Sequence, residues 1–224
     1  MLEKNATEKI RLHLEGGSST FPLCMIQASI NHLIGSPIFR VSLLVAASLI
    51  TGCAATPRQQ ILISAADQRM ILLEQNNPVT SYPISTSKFG LSDKPGSYGT
   101  PIGRMRIKEK IGHGMPAGAV FKSRIPTGEV LPVDAPGRDP IVTRILWLEG
   151  LERGNRNAFR RYIYIHGTPE ERNIGLPVSY GCIRMRSKDV IDLFDKVEKN
   201  TLVVVTSKPL PTRFAMGDKK KATH

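Results

Sequence analysis

The chain has 224 residues, a formal net charge of +12 and 41% hydrophobic residues. That length suits one packed domain with short tails, and the sequence carries no internal repeat and no heptads. The basic balance suits an anionic partner such as acidic lipid or an anionic wall polymer, while the export signal described next argues against nucleic acid.

Residues 1–39 are polar at first and then mixed, with no clear periodicity, and Met25 is an alternative start. Arg40 then opens a short apolar run that ends in small residues and Cys53. This is the pattern of a secretion signal, with an apolar core too short for an ordinary membrane span. Ile50-Thr51-Gly52-Cys53 resembles a bacterial lipobox, which implies cleavage before Cys53 and acylation of Cys53. Each buried CH₂ of such an anchor contributes about 0.8 kcal/mol to membrane attachment. The expected location is therefore the periplasm, with the chain held to a membrane by lipid. Ala54 rather than Asp after the cysteine favours the outer membrane by resemblance to enterobacterial sorting. Cleavage removes Cys24 and lipidation occupies Cys53, so Cys182 is left as a free thiol with no internal disulfide partner. A free thiol in an oxidising compartment needs a reason, and reactivity is one.

Residues 1–52 thus read as signal and extension, 53–59 as a tether, 60–206 as the folded domain and 207–224 as a basic flexible tail. Gln60–Ser64 and Arg69–Glu74 flank Ala66-Asp67-Gln68 and predict a hairpin. Val79–Thr86 and Arg104–Lys108 alternate polar and apolar residues and predict strands. Ile111–Gly128 is rich in Gly and Pro and reads as an irregular binding loop. Ile141–Leu148, carrying Trp147, and Arg161–Ile165 predict two further strands. Ser187 is placed to cap a short helix through about Val197, with Val190, Ile191, Phe194 and Val197 on its apolar face. Leu202–Val205 predicts a buried closing strand. The fold class is mainly β with one or two short helices, arranged as a sandwich or barrel-like sheet.

Two short segments carry the chemistry. In Tyr162-Ile163-Tyr164-Ile165-His166-Gly167-Thr168, strand phase puts Tyr162, Tyr164 and His166 on one face and the isoleucines on the other. Cys182, sixteen residues after His166, returns within Ser179-Tyr180-Gly181-Cys182-Ile183-Arg184-Met185, across a polar, turn-rich loop that can bring it back to His166. A thiol with pKa near 8.5 is only a few per cent thiolate at neutral pH, and an adjacent imidazole can take its proton. Gly181 lets the backbone turn sharply, so that N–H groups around Tyr180, Gly181 and Cys182 can face a developing oxyanion, each donor worth on the order of 3 kcal/mol. The remaining histidines, including His113 between Gly112 and Gly114, show no ligand spacing with His166, so no metal site is read from the sequence.

His166-Gly167-Thr168 followed by Ser179-x-Gly181-Cys182-Ile183-Arg184-Met185 resembles the YkuD-type L,D-transpeptidase domain. The resemblance runs across roughly 60–206 and includes Ser85-Thr86-Ser87 and Thr100-Pro101-x-Gly103. It implies a YkuD-like sheet and no cofactor. It implies an activity on peptidoglycan stem peptides: attack on the third-residue L-centre carbonyl of a tetrapeptide, release of D-alanine, and transfer of the thioester to an amine. Carried over, Cys182 is the nucleophile, His166 the base, and the Gly167 carbonyl orients the imidazole. Tyr180 and Gly181 supply oxyanion-side backbone, and Ser179 and Tyr164 are candidate substrate contacts. Arg184 binds a stem-peptide carboxylate or buttresses the cysteine loop. The sequence departs from the family where a second histidine usually precedes the cysteine by two residues; here Tyr180 stands there. The acceptor stays open between a stem-peptide amine, the terminal lysine of a wall-linked lipoprotein, and water, and a non-catalytic wall-binding role is the remaining alternative.

Overall fold

The computed structural model describes residues 58–215. The signal, the lipobox with Cys53, the tether up to 57 and residues 216–224 lie outside the described residues. Among those described, ten strands form one sheet. They are β1 (Gln59–Ser64), β2 (Arg69–Glu74), β3 (Asn77–Pro83), β4 (Gly103–Ile111), β5 (Ala119–Lys122), β6 (Ile125–Val130), β7 (Ile141–Gly150), β8 (Tyr164–Gly167), β9 (Ile183–Met185) and β10 (Leu202–Thr206). Two helices follow the functional loop, α1 (Ser187–Lys196) and α2 (Thr212–Ala215).

The main path runs β3-β2-β1-β10-β4-β7-β5-β6, and β8 leaves it by pairing with β7 and then β9. The path does not return on itself, so the sheet is open rather than a closed barrel. Most pairs are antiparallel, but β1–β10 and β8–β9 are parallel. A parallel pair needs a long crossover between its strands. For β8–β9 that crossover is the polar loop 168–182, which returns the chain to the strand it has just left.

Strand alternation then divides the sheet into two packed faces. Leu146 and Leu148 of β7, Ile163 and Ile165 around β8, and Ile61 and Ile63 of β1 join one main core. The α1 residues Val190, Leu193 and Phe194 cover the same core. The intervening residues point the other way: Ile145 and Tyr164 join Ala119 and Phe121 in a second cluster, with Trp147 and Cys182 packed against it. The period of two therefore assigns Cys182 to a sheet face distinct from the main core.

The segment 111–128, expected as an irregular loop, carries the end of β4, all of β5 and the start of β6. Ala119 and Phe121 bury against Ile145 and Tyr164, which gives the β5 segment a sheet-packed face despite its flanking glycines. The strand expected at 161–165 begins only at Tyr164. Tyr162 sits in a turn at φ 56°, and its N–H and that of Ile163 bond to Phe159 and Ala158 carbonyls. That turn is anchored by fully buried Asn155, whose amide donates to the Ile102 and Arg104 carbonyls.

Ser187 is the first helical residue rather than the cap of α1. The preceding Arg186 provides no side-chain cap, and the Ser187 N–H instead donates to Glu171 Oε1 at 2.7 Å. A carboxylate from the crossover loop satisfies a donor that the helix start leaves open. On α1, Leu193 is buried, whereas Ile191 is only half-buried. The expected tail is docked in its first part: Ser64 Oγ donates to the Lys208 carbonyl at 2.9 Å, the Leu210 N–H donates to Asp67 Oδ2, and Phe214 packs on Ile71 and Leu73.

Candidate active site

β8 and β9 pair in register, with Ile165 opposite Ile183 and His166 opposite Arg184. Extending that register by one residue sets Cys182 beside Tyr164. Cys182 and His166 then share one face, two strand positions apart, with α-carbons about 8 Å from each other. Two glycines make the arrangement possible. A Cβ on Gly167 would approach the Val142 carbonyl oxygen to 2.7 Å, so only glycine lets β8 lie this close to β7. Gly181 has φ 120° and passes the Gly99 carbonyl closely enough that a Cβ would sit 3.2 Å from it.

The cysteine loop is held from behind. Ser179 is fully buried, its hydroxyl donating to the Cys182 carbonyl at 2.6 Å and accepting from the Gly181 N–H at 3.2 Å. Ser85 bridges Arg184, and Ser87 bridges Ser179, so 85–87 lies along both ends of the loop. Thr100 Oγ1 accepts from the Ser87 N–H at 3.0 Å. Arg184 meets Asp139 at 2.6 Å in a largely buried pair and has Glu170 at 3.9 Å. The Arg184 side chain thus faces two carboxylates of this chain. Tyr180 points outward, 56% exposed, where its hydroxyl accepts from Lys88 Nζ at 2.8 Å and its ring neighbours Phe89 and Tyr98.

The thiol is held between two backbone groups. Tyr164 N–H donates to Sγ at 3.4 Å, and Sγ–H donates to the Tyr162 carbonyl at 3.4 Å. Burial pushes its pKa up to about 11, against the opposing pull of the Tyr164 N–H and of Arg184 and Arg161. His166 is buried, and burial brings its pKa down to about 4; the Gly167 hydrogen bond works against this, while Arg184 adds to it. Its Nδ1 lies 2.8 Å from the Gly167 carbonyl oxygen. A carbonyl can only accept, so Nδ1 carries the proton and Nε2 of the neutral ring keeps its lone pair. The two side chains are thus both neutral and not hydrogen-bonded to each other: the resting site is a thiol and a free base, not an ion pair.

This has a direct consequence for reactivity. Alkylation of the Cys182-containing peptide by iodoacetamide should rise about tenfold per pH unit from pH 7 towards 10, without the plateau an ordinary thiol reaches soon above 8.5. A plateau below pH 8 would show a thiolate already formed and contradict the neutral resting pair.

Several residues at the site carry no sequence signal of their own. Arg161 ties 92–99 to the entry of β8, donating to the Ser92 and Gly99 carbonyls at 2.8 Å each and pairing with Asp93. Asp139 accepts from the Thr168 hydroxyl as well as pairing with Arg184. Thr143 occupies a bulge in β7 opposite His166 and Gly167, buried at φ 73°, and its hydroxyl reaches Ser187 Oγ at 2.8 Å. Bulges of this kind commonly re-aim side chains beside active sites. A cleft of about 670 Å³ lined by Arg58, Glu74, Lys196 and Thr201 contains none of the candidate residues.

Residues 58–205 match the family described as the L,D-transpeptidase catalytic domain, YkuD. Among curated proteins, the chain is 30% identical over 158 residues to the probable L,D-transpeptidase YbiS of Escherichia coli strain K12, covering 69% of this chain and 47% of that protein. It is 29% identical over 158 residues to the probable L,D-transpeptidase ErfK/SrfK of the same strain, covering 69% and 46%. The chain spans about half the length of these relatives. Among solved structures, L,D-transpeptidase 3 from Mycobacterium tuberculosis aligns with a TM-score of 0.43 at 18% identity over 67% of this chain and 61% of that one. With a family match over most of the described residues, the chain belongs to the YkuD family of L,D-transpeptidase catalytic domains.

Proposed function

We propose that the protein is a peptidoglycan L,D-transpeptidase in which Cys182 forms a thioester with a tetrapeptide stem. The observation that carries this reading is the common face of Cys182 and His166, with Nδ1 held by the Gly167 carbonyl and Nε2 left as the base. The thiol leaves the Tyr162 carbonyl as substrate arrives, and His166 Nε2 takes its proton. Sulfur attacks the third-residue L-centre carbonyl, forming the C–S bond. The amide bond to D-alanine then breaks, and imidazolium returns the proton to the departing amine. In the second half an acceptor amine attacks the thioester, His166 takes its proton, the C–S bond breaks and the thiol is restored. The Gly181 N–H is engaged by Ser179, so the Tyr180 and Cys182 amides are the candidates for the oxyanion. No step needs a metal or an organic cofactor.

Full-length protein incubated with disaccharide-tetrapeptide, followed by mass analysis of products, tests the reading. A cross-linked dimer that has lost one D-alanine supports transfer between stems. Tripeptide alone assigns the same thioester to a hydrolase, and unchanged substrate sinks the catalytic reading. A wall-linked lipoprotein offering its terminal lysine is the other acceptor to supply. The lipobox supports a periplasmic, lipid-anchored location, with Ala54 favouring the outer membrane; an unmodified N-terminal peptide in membrane-extracted protein would contradict the anchor.

A further inference from the structure

The β5–β6 hairpin turns through Ser123 and Arg124, with Lys122 paired to Ile125 across the turn. Both turn residues are left-handed, at φ 51° and 69°, a conformation such turns usually assign to Asn and Gly. β6 is exposed along its whole length, while Ala119 and Phe121 of β5 are buried in the cluster that also contacts Cys182. The hairpin is therefore an arm rooted beside the thiol. Its tip places the Arg124 guanidinium 4.7 Å from the Trp147 ring centre and 5.2 Å from that of Tyr162. Arg124 Nη1 donates to the Tyr164 hydroxyl at 3.3 Å. Tyr162 and Tyr164 are the two residues whose backbones hold the Cys182 sulfur.

Three guanidinium groups thus surround the site, and they are not equivalent. Arg161 is paired with Asp93, and Arg184 with Asp139, both with little exposure. Among the described residues no carboxylate pairs with Arg124. Its cation is met only by ring faces and one phenol, which leaves most of its five N–H donors without an anionic acceptor. A planar guanidinium with unspent donors beside a nucleophile is suited to a carboxylate, which it can take through two parallel hydrogen bonds.

We propose that Arg124 binds the C-terminal carboxylate of the stem peptide, the group carried by the leaving D-residue. This rests on the transpeptidase reading. In a tetrapeptide that carboxylate lies one residue beyond the carbonyl that Cys182 attacks, roughly 3.5 Å of chain further on. In a stem that continues past the fourth residue, the same position is an uncharged amide. Arg124 then selects stems that end there and draws the scissile bond over the thiol.

The test separates binding from turnover. In full-length Cys182→Ala protein, titration calorimetry compares the tetrapeptide with its C-terminal amide, each with Arg124, Arg124→Gln or Arg124→Lys. With Arg124 present the acid should bind at least about tenfold tighter than the amide, the scale of one charge-assisted contact. Arg124→Gln should erase that preference without changing affinity for the amide, and Arg124→Lys should restore part of it. An acid preference that survives in Arg124→Gln, or equal weakening of acid and amide, overturns the assignment. Turnover by the Cys182 protein without any acid preference sinks the carboxylate site alone. Acid preference through Arg124 without turnover sinks the transpeptidase reading and leaves the site.

Discussion

Cys182→Ala should lose at least about 10⁴-fold in turnover of tetrapeptide while remaining folded, because removing a covalent nucleophile leaves only binding and oxyanion contacts. The fold should survive because Sγ contributes little to it. The sulfur makes two long hydrogen bonds at 3.4 Å to backbone groups at the mouth of β8, and the residue is only partly buried. The loop is held instead by the Ser179 hydroxyl, the 85–87 bridges and the Arg184–Asp139 pair, none of which uses the thiol. A stability loss of about 1 kcal/mol, read from urea unfolding, is the expected scale for such weak contacts. Full activity in the alanine variant would remove the thiol from the chemistry. Loss of activity together with loss of the cooperative transition would show that the loop depends on the sulfur after all.

The second large effect is expected at His166. His166→Gln should lower kcat by roughly 10²–10⁴, the usual contribution of a positioned base. Its pH behaviour carries more information than its size. With His166 near 4 and Cys182 near 11, the neutral pair is the dominant free form across the intervening range. The wild-type kcat/KM should therefore be nearly flat between about pH 6 and 9, with limbs outside it.

Stability supplies an independent readout of the same residue. The folded pKa of His166 lies below its ordinary value of 6.5, so the unfolded chain binds the proton more readily. Stability is full above about pH 6.5 and falls as pH drops towards 4, by about 3 kcal/mol for a shift of this size. His166→Gln should lack that part of the acid loss. An unchanged acid profile in the variant would mean that the imidazole is not held neutral by burial.

The parts of this protein that were legible in the sequence are those set by short-range periodicity or by a residue type with few alternative uses. Val203 and Val205, alternating with half-buried neighbours in β10, and the Leu146/Leu148 phase of β7 are visible as pattern. So is the division of Ile163 and Ile165 from Tyr164. The positions of His166, Gly167 and Cys182 follow from a parallel pair that the crossover loop closes.

What stayed hidden depends on distant partners. β9 is three residues long and has meaning only beside β8. The start of α1 is completed by Glu171, sixteen residues earlier, so Ser187 alone suggested the wrong cap. Phe214 lies in a basic, proline-containing tail whose docking depends on Ile71 and Leu73. At the site, Arg184 announced itself through its motif, but its partner Asp139 did not. Arg124 sits in a segment whose glycines and prolines suggested an irregular loop, and only the hairpin brings it over Trp147, Tyr162 and Tyr164.

Whether Cys182 carries the acyl group can be read by acid-quenching full-length protein during reaction with tetrapeptide and weighing the intact chain, then its proteolytic fragments. The expected result is a covalent adduct equal to the stem acyl group after loss of D-alanine, located on the Cys182 peptide, removed by hydroxylamine and absent from Cys182→Ala. Product formation by Cys182→Ala, or an adduct on any other residue, would contradict it.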